Sequence, residues 1–420
     1  MCFKSKFNWF ISFATISVSL SAFATGSVYV WPSPYLPKFN LTDSTINPIG
    51  RPITITESTW IVAAMNAGLN FGPLLSFLGR KIFTKKQVIL MAMLSMMLAH
   101  SICIFANKAL LFILARLLMG ISTGWLWTSL GTYIAEIAAN SNRGLLGILP
   151  GIMSNIGILT VYVIGPYFSM KLFSIFNLIP LMLFYISFGF FVPDSPYDLL
   201  EEIRFEDLVK DRVIRRGLVI SISLMVIQQL SGIFAVSSYA ETIFQSAGDF
   251  IPPFLPPILL GIVGVLTMCS ASILIDKMGR KPLQITSCII ESISLFGLGL
   301  YFHLLNRGFN VASIAWLPMV LLMVFTGAFH FGLNMIPWIV TGEIFHSNLK
   351  AMPSSLAALS NFATCFLVSI LYPYMVEYFG MSWTFYFFTI MMILAAVFCY
   401  GTLLETKGKS FQEIQILLNK

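Results

Sequence analysis

Gln228 and Gln229 are adjacent amides inside a long apolar run. A carboxamide offers two N–H donors and a carbonyl acceptor, which suits the hydroxyl groups of a polyol. Buried without partners, such groups are costly, so hydrogen bonding to a neighbouring helix is an equally good reading of the pair. Further along the chain, His330 and Asn334 stand four residues apart, on one face of a helix. Pro337-Trp338 follows and would present an aromatic ring beside a helix irregularity. A ring face fits the apolar side of a cyclic ligand, while plain packing is the alternative for any one aromatic in a chain with 14% Phe, Trp and Tyr.

A second set of residues carries charge and repeats. Gly79-Arg80-Lys81 returns as Gly279-Arg280-Lys281. Glu136 is followed seven positions on by Arg143, and Glu343 seven positions on by Lys350. Asp194 and Glu405 end the sixth and twelfth apolar segments. Equivalent corners of two halves thus each receive an acid and a base. Exposed pairs of this kind contribute only ~0.2–1 kcal/mol, a scale suited to a gate that must open. Ordinary orienting charges on loops are the competing reading. The six cysteines show no metal-ligand spacing and no disulfide framework, and no phosphate-binding loop is present. The expectation is a non-enzyme with no catalytic residue, no metal and no cofactor.

The elements that position these residues must be membrane helices. Hydrophobic residues make up 57% of the 420 positions and charged residues 10%, with mean hydropathy +0.85. Such a chain uses lipid as its solvent, and each crossing needs about 20 apolar residues. Twelve spans are predicted near 9–31, 58–78, 87–106, 110–135, 145–167, 171–192, 217–243, 254–275, 283–304, 313–341, 353–376 and 382–403. Ala22-Phe23-Ala24 resembles a signal-peptidase site, but the run from Trp9 to Val30 is long for a leader and reads as the first span. With both termini in the cytosol, the outer segments hold only Lys38, Arg51, Lys108, Lys171 and Arg307 of the 25 Lys and Arg. Arg116 falls within a span, and every other cation lies inside, as orientation by positive charge requires. Asn40-Leu41-Thr42 is then an external glycosylation sequon. The expected organisation is a six-helix bundle over 1–192, a cytosolic linker over 193–216, a second bundle over 217–403 and a tail over 404–420. Basic residues flank spans and form no domain of their own, so the partners are the bilayer and a small molecule, not nucleic acid; a monomer suffices. Duplicated hydrophobic halves mark secondary transporters, with the site at mid-membrane between the repeats.

The motifs resemble those of the sugar porter family of the major facilitator superfamily, and among them the insect facilitative trehalose and hexose transporters. The segments that carry this are Trp31-Pro-Ser-Pro-Tyr-Leu-Pro37, Gly79-Arg80-Lys81, Arg116-Leu-Leu-Met-Gly120, Tyr133-Ile-Ala-Glu136-Ile137 through Arg143-Gly144, and Pro193-Asp194-Ser195-Pro196. In the second half they are Gln228-Gln229-Leu-Ser-Gly232-Ile233, Asp276-Lys-Met-Gly279-Arg280-Lys281, Ile336-Pro337-Trp338, Glu343-Ile344-Phe345 and Glu405-Thr-Lys-Gly-Lys409. The resemblance implies that Gln228, Gln229 and Trp338 touch sugar and that His330 and Asn334 border the same site. It adds Asp276 to an inner gate of Arg80, Glu136, Arg143, Asp194, Arg280, Glu343, Lys350 and Glu405. Several polar positions of the family are replaced, at Gly151, Phe234, Gly264 and Cys365; its tenth-helix Gly-Pro is Asn334-Met335, its eleventh-helix Asn-Trp is Asn361-Phe362, and Ser76-Phe77 stands where an Asp-Arg is usual. The first span lacks the acid of proton-coupled members, so the implied function is uniport of a sugar at the plasma membrane by alternating access. The alternatives are a non-transporting sugar sensor, which the lost polar positions favour, and a proton symporter using His330 or Glu291. Glu291 has no assigned role, and His100 reads as structural.

Overall fold

The computed structural model describes residues 2–43, 46–79, 82–137, 143–194, 212–247, 252, 254–345, 351–409 and 411–419. Among them the secondary structure is helical. The chain forms two compact units, Met1–Leu199 and Leu200–Lys420. In the first unit, α1 (Cys2–Tyr29) is followed by the short α2 (Pro32–Phe39), α3 (Ile55–Gly79), α4 (Lys85–Phe105), α5 (Ala109–Ile137), α6 (Arg143–Ile164) and α7 (Met170–Phe184), which runs on as a π-helix over Tyr185–Phe190. The second holds α8 (Arg212–Leu230), α9 (Ile233–Ser238), α10 (Ala240–Ala247), α11 (Leu255–Met278), α12 (Arg280–Asn306), α13 (Leu317–Phe331), α14 (Ile336–Ile344), α15 (Ala351–Thr402) and α16 (Phe411–Asn419).

These helices supply the twelve expected crossings. Eight stretches among the described residues are long and apolar enough to span a bilayer, and Leu149–Ile164 and Leu255–Ala271 are shorter apolar helices. Apolar α3 is another. The fifty-two residues of α15 are two spans parted at Gly380, whose φ of 80° is left-handed. The two units repeat one pairing scheme. In the first, α1 packs on α6, α3 on α5, and α4 on α7; in the second, α8 packs on the first half of α15, α11 on α13, and α12 on the second half of α15.

Within the first unit the helices meet backbone to backbone. A Cβ on Gly68 or Gly72 of α3 would land on the α5 backbone, and one on Gly120 or Gly124 of α5 would land on the α3 carbonyls of Met65 or Leu69. This is small-residue packing, in which missing side chains let membrane helices approach closely. Gly26 and Gly157 do the same for α1 and α6, so the segment with the leader-like sequence is an integral helix of the bundle. Arg116 is fully buried and ties three helices together: Nε donates to the Ile61 carbonyl at 3.2 Å, Nη1 donates to the Val28 carbonyl, and the guanidinium lies 5.6 Å from the Trp31 ring centroid.

Two expected spans are not continuous. The seventh, predicted over 217–243, begins at Arg212 and breaks at Ser231-Gly232 and again at Tyr239. Gly232 has φ 81°, a conformation that glycine adopts without strain. The tenth breaks over 332–335, between α13 and α14. Most of the predicted linker lies outside the described residues, and its last part is the start of α8. The tail carries α16, whose Ile414 and Leu418 are buried in the core at this end of the second unit. Gln415 Nε2 donates to the Ile344 carbonyl at 2.9 Å, and Arg216 Nη1 to the Leu418 carbonyl at 3.0 Å.

Candidate functional site

The break in the tenth span explains where Gln228 points. Pro337 has no N–H, so the Leu333 carbonyl four residues earlier has no helical donor. A carbonyl orphaned in an apolar interior must find another. Gln228 provides it: Nε2 donates to the Leu333 carbonyl at 2.7 Å and to the Asn334 carbonyl at 2.9 Å. Its Oε1 accepts from Asn361 Nδ2 at 2.7 Å, and that nitrogen also donates to the Met225 carbonyl at 2.9 Å. Gln229 Nε2 donates to Asn361 Oδ1 at 3.1 Å. Gln228 and Asn361 are almost wholly buried, and both of their amide ends are engaged. Gln229 is half-buried, and its Oε1 is shut from solvent without a hydrogen-bond partner.

Helix-to-helix bonding is therefore realised by both amides, through Asn361. Gln228 has both amide ends engaged, while Gln229 keeps an acceptor free. Asn361, which the sequence presents only as one half of an altered motif, is the hub between them. No periodicity singles it out; only the packing of α15 on α8 brings it there.

His330 and Asn334 do meet, though not on one helix as expected. The helix ends at Phe331, and Asn334 lies in the break with its Nδ2 3.0 Å from His330 Nδ1. His330 is buried and its ring packs edge-on against Phe329. Trp338 stands in the first turn of α14 and is 42% exposed. The second unit thus brings Gln228, Gln229, Asn361 and the break carrying Asn334 together, with His330 beside them and Trp338 one residue beyond Pro337.

The charges expected at the inner end of the second unit form one knot. Arg280 Nη2 pairs with Glu343 Oε1 at 2.8 Å, and Thr406 Oγ1 donates to Glu343 Oε2 at 2.6 Å. Glu405 accepts from the backbone N–H groups of Arg280 at 3.0 Å, Lys281 at 3.1 Å and Lys407 at 2.9 Å. Its carboxylate therefore caps the N-terminus of α12, where unpaired N–H groups and the helix dipole favour an anion. Gly279, with φ 94°, lets that carboxylate approach; a Cβ there would sit 2.7 Å from Glu405 Oε2. Partial burial alone would raise the Glu405 carboxyl, but the three N–H donors and Arg280 hold it below the usual carboxylate range. Arg280 and Glu343 are paired within one unit.

The first unit is described less fully at this end. Arg80 and Lys350 lie outside the described residues, as do the side chains of Glu136, Arg143 and Asp276. Asp194 is exposed and accepts from Thr84 Oγ1 at 2.6 Å, and Thr84 also caps α4 in a reciprocal box with Gln87. Asn40 ends α2 and is exposed, together with Leu41 and Thr42 of its sequon.

Comparison with known proteins agrees with this architecture. The chain is 28% identical to the facilitated trehalose transporter of Bombyx mori over 99% of its own length and 88% of that protein. It is 29% identical to the protein of the same name from Polypedilum vanderplanki, over 96% of this chain and 86% of the other. Among solved structures, a D-xylose–proton symporter superposes with a TM-score of 0.79 at 21% identity, covering 96% of this chain and 100% of that one. The xylose transporter of E. coli in an inward open conformation gives 0.78 at 21% identity, over 97% and 99%. Those two likenesses show the fold. The family described as "Sugar (and other) transporter" matches twice, over residues 8–207 and 201–418, once for each unit. A multi-pass membrane protein of two related six-helix units, the chain belongs to the Sugar (and other) transporter family.

Proposed function

We propose that this chain is a facilitative transporter that lets a small sugar, trehalose or a hexose, equilibrate across the plasma membrane by alternating access. The observation that carries the reading is the amide cluster where two interrupted helices meet a third. Discontinuous helices in a secondary transporter leave backbone and side-chain groups free to meet substrate at mid-membrane. Gln229 Oε1 is an acceptor awaiting a hydroxyl donor, and its neighbours Gln228 and Asn361 hold it in place. His330 and Asn334 offer further donors and acceptors, and Trp338 an apolar ring face. The facilitated trehalose transporters among its relatives favour trehalose as the first sugar to try. Residues 9–31 contain no Asp or Glu, which favours uniport over proton coupling.

The inner charges complete the reading. Arg80, Glu136, Arg143, Asp194, Asp276, Arg280, Glu343, Lys350 and Glu405 form a cytosolic gate of weak ion pairs and caps, with both termini on the same side and Asn40 carrying a glycan outside. Uptake of labelled trehalose and glucose into oocytes, at two external pH values, tests the proposal. Equilibration without accumulation, weakened in Gln229→Ala and Trp338→Ala, is the expected result. Unchanged uptake in both variants sinks the site. Accumulation driven by external acid identifies a symporter, and sugar binding without flux identifies a sensor.

A further inference from the structure

Glu291 takes no part in the arrangement above. It lies midway along α12 and is fully buried. An ionisable group inside a membrane helix is costly and marks function by default. On its own helix it faces Ser287 and Cys288; from the second half of α15, Cys399 lies beside Cys288. Cys288 is a titratable neighbour with Cys399 beyond it, while His330 on α13 is engaged with Asn334. Among the described residues no cation lies against it.

The contacts of Ser287 bear on the protonation of Glu291. Ser287 Oγ is 2.6 Å from the Ala328 carbonyl oxygen, 3.3 Å from the Leu333 backbone nitrogen and 3.1 Å from Glu291 Oε1. A hydroxyl has one proton and two lone pairs. Two oxygens 2.6 Å apart require the proton between them, so it goes to Ala328. The Leu333 N–H occupies one lone pair. Glu291 then meets the other, and only a carboxylic O–H makes that contact a bond. A carboxylate there would face a lone pair with no cation to offset its burial.

The same serine reaches the tenth-span break that Gln228 holds. Ser287 binds the N–H of Leu333, and Gln228 binds its carbonyl. Gly332 makes this close crossing possible, since a Cβ there would lie 2.9 Å from both the Leu283 carbonyl oxygen and Ser287 Oγ. An unbroken path runs from Glu291 through Ser287, Leu333, Gln228 and Asn361 to Gln229.

We propose that Glu291 is a proton-binding site, neutral in this structure, whose proton is linked through Ser287 and the tenth-span break to sugar binding at the Gln228–Asn361–Gln229 amides. The linkage rests on the sugar-transport reading; the proton site does not. The sign follows directly. Sugar binds the protonated form, so affinity is full below the pKa of Glu291 and is lost as pH rises through it. No step moves the proton across the membrane, so facilitated diffusion is retained.

Two measurements on the full chain in lipid nanodiscs test this. Infrared difference spectra of the protein against Glu291→Gln should show a protonated-carboxyl C=O band at neutral pH that the variant lacks; no such band overturns the proton site. Trehalose and glucose titrations from mildly acidic to alkaline pH should show affinity falling about tenfold per pH unit above the Glu291 pKa, because only the protonated fraction binds. Glu291→Gln, whose amide supplies the same donor to Ser287, should bind with no pH dependence. Parallel pH profiles in the two proteins overturn the linkage, and a Gln variant that cannot fold overturns the neutral assignment. If neither sugar binds at any pH, the transport reading and the linkage fall together, while the infrared band still decides the proton.

Discussion

The two six-helix units share one pairing scheme but hold it together by different chemistry. In the first, α3 and α5 touch through Gly68, Gly72, Gly120 and Gly124, with backbone against backbone. In the second, the matching pair α11 and α13 meets through side chains: a Cβ on Gly327 would find only Val263 and Thr267, at 3.4–3.5 Å. There the backbone is interrupted instead, and amides bridge the gaps. A glycine-packed interface has one arrangement, because nothing in it can rotate away. An amide network has donors and acceptors that can be exchanged for those of a ligand. This difference makes the second unit the chemically adaptable one.

The largest effect should come from filling the glycine interface. Gly120→Val would drive a side chain into the Met65 carbonyl, and the expected outcome is loss of folded protein, read as yield and monodispersity after purification. Overpacking ordinarily costs about 1–3 kcal/mol, and a backbone that cannot yield raises it further. A normally folded Gly120→Val protein would break the comparison.

Next is Gln228→Ala, which removes the partner of the Leu333 and Asn334 carbonyls and of Asn361 Nδ2. Each buried group left unpaired costs about 1–3 kcal/mol. We expect a lower melting temperature and sugar flux reduced by at least about tenfold, whereas Gln229→Ala should reduce flux with little change in melting. Equal melting losses in the two variants would show that the amides do not divide their roles as described.

A smaller effect is expected at the cap of α12. Glu405→Gln weakens the cap on α12 by about 0.3–1 kcal/mol. The Glu405 carboxyl is held below the usual range, so its contribution is present above that range and disappears as pH falls through its folded value. Melting followed toward acid should therefore decline in the native protein and decline less in Glu405→Gln; identical curves would remove the cap from the account. The smallest effect should be that of Gly327→Ala, within about 0.5 kcal/mol, since its new methyl finds ordinary contact distance. A large loss there would erase the contrast between the units.

Legibility of the site varied residue by residue. Gln228 and Gln229 stood out because amides are rare in apolar helices, yet their adjacency said nothing of their division of labour. Pro337 was visible as a helix irregularity, but its consequence, an orphaned carbonyl that selects Gln228, depends on α8 lying beside the break. Glu405 read as a gate charge; its role as the cap of α12 appears only when residues 125 positions apart meet. Arg280 and Glu343 were both identified, and their pairing with each other was not.

By itself the sequence determined the solvent, the helices and the duplication. Composition forces every backbone bond to be satisfied inside helices, and the repeated Gly-Arg-Lys and Glu motifs record two related halves. Only the tertiary structure decided which groups are spent on the fold and which remain for a ligand. Hydrogen-bond partners drawn from helices far apart in sequence, such as Asn361 for the paired glutamines and Ser287 for Glu291, leave no periodic trace. Their pairing is set by how the helices pack.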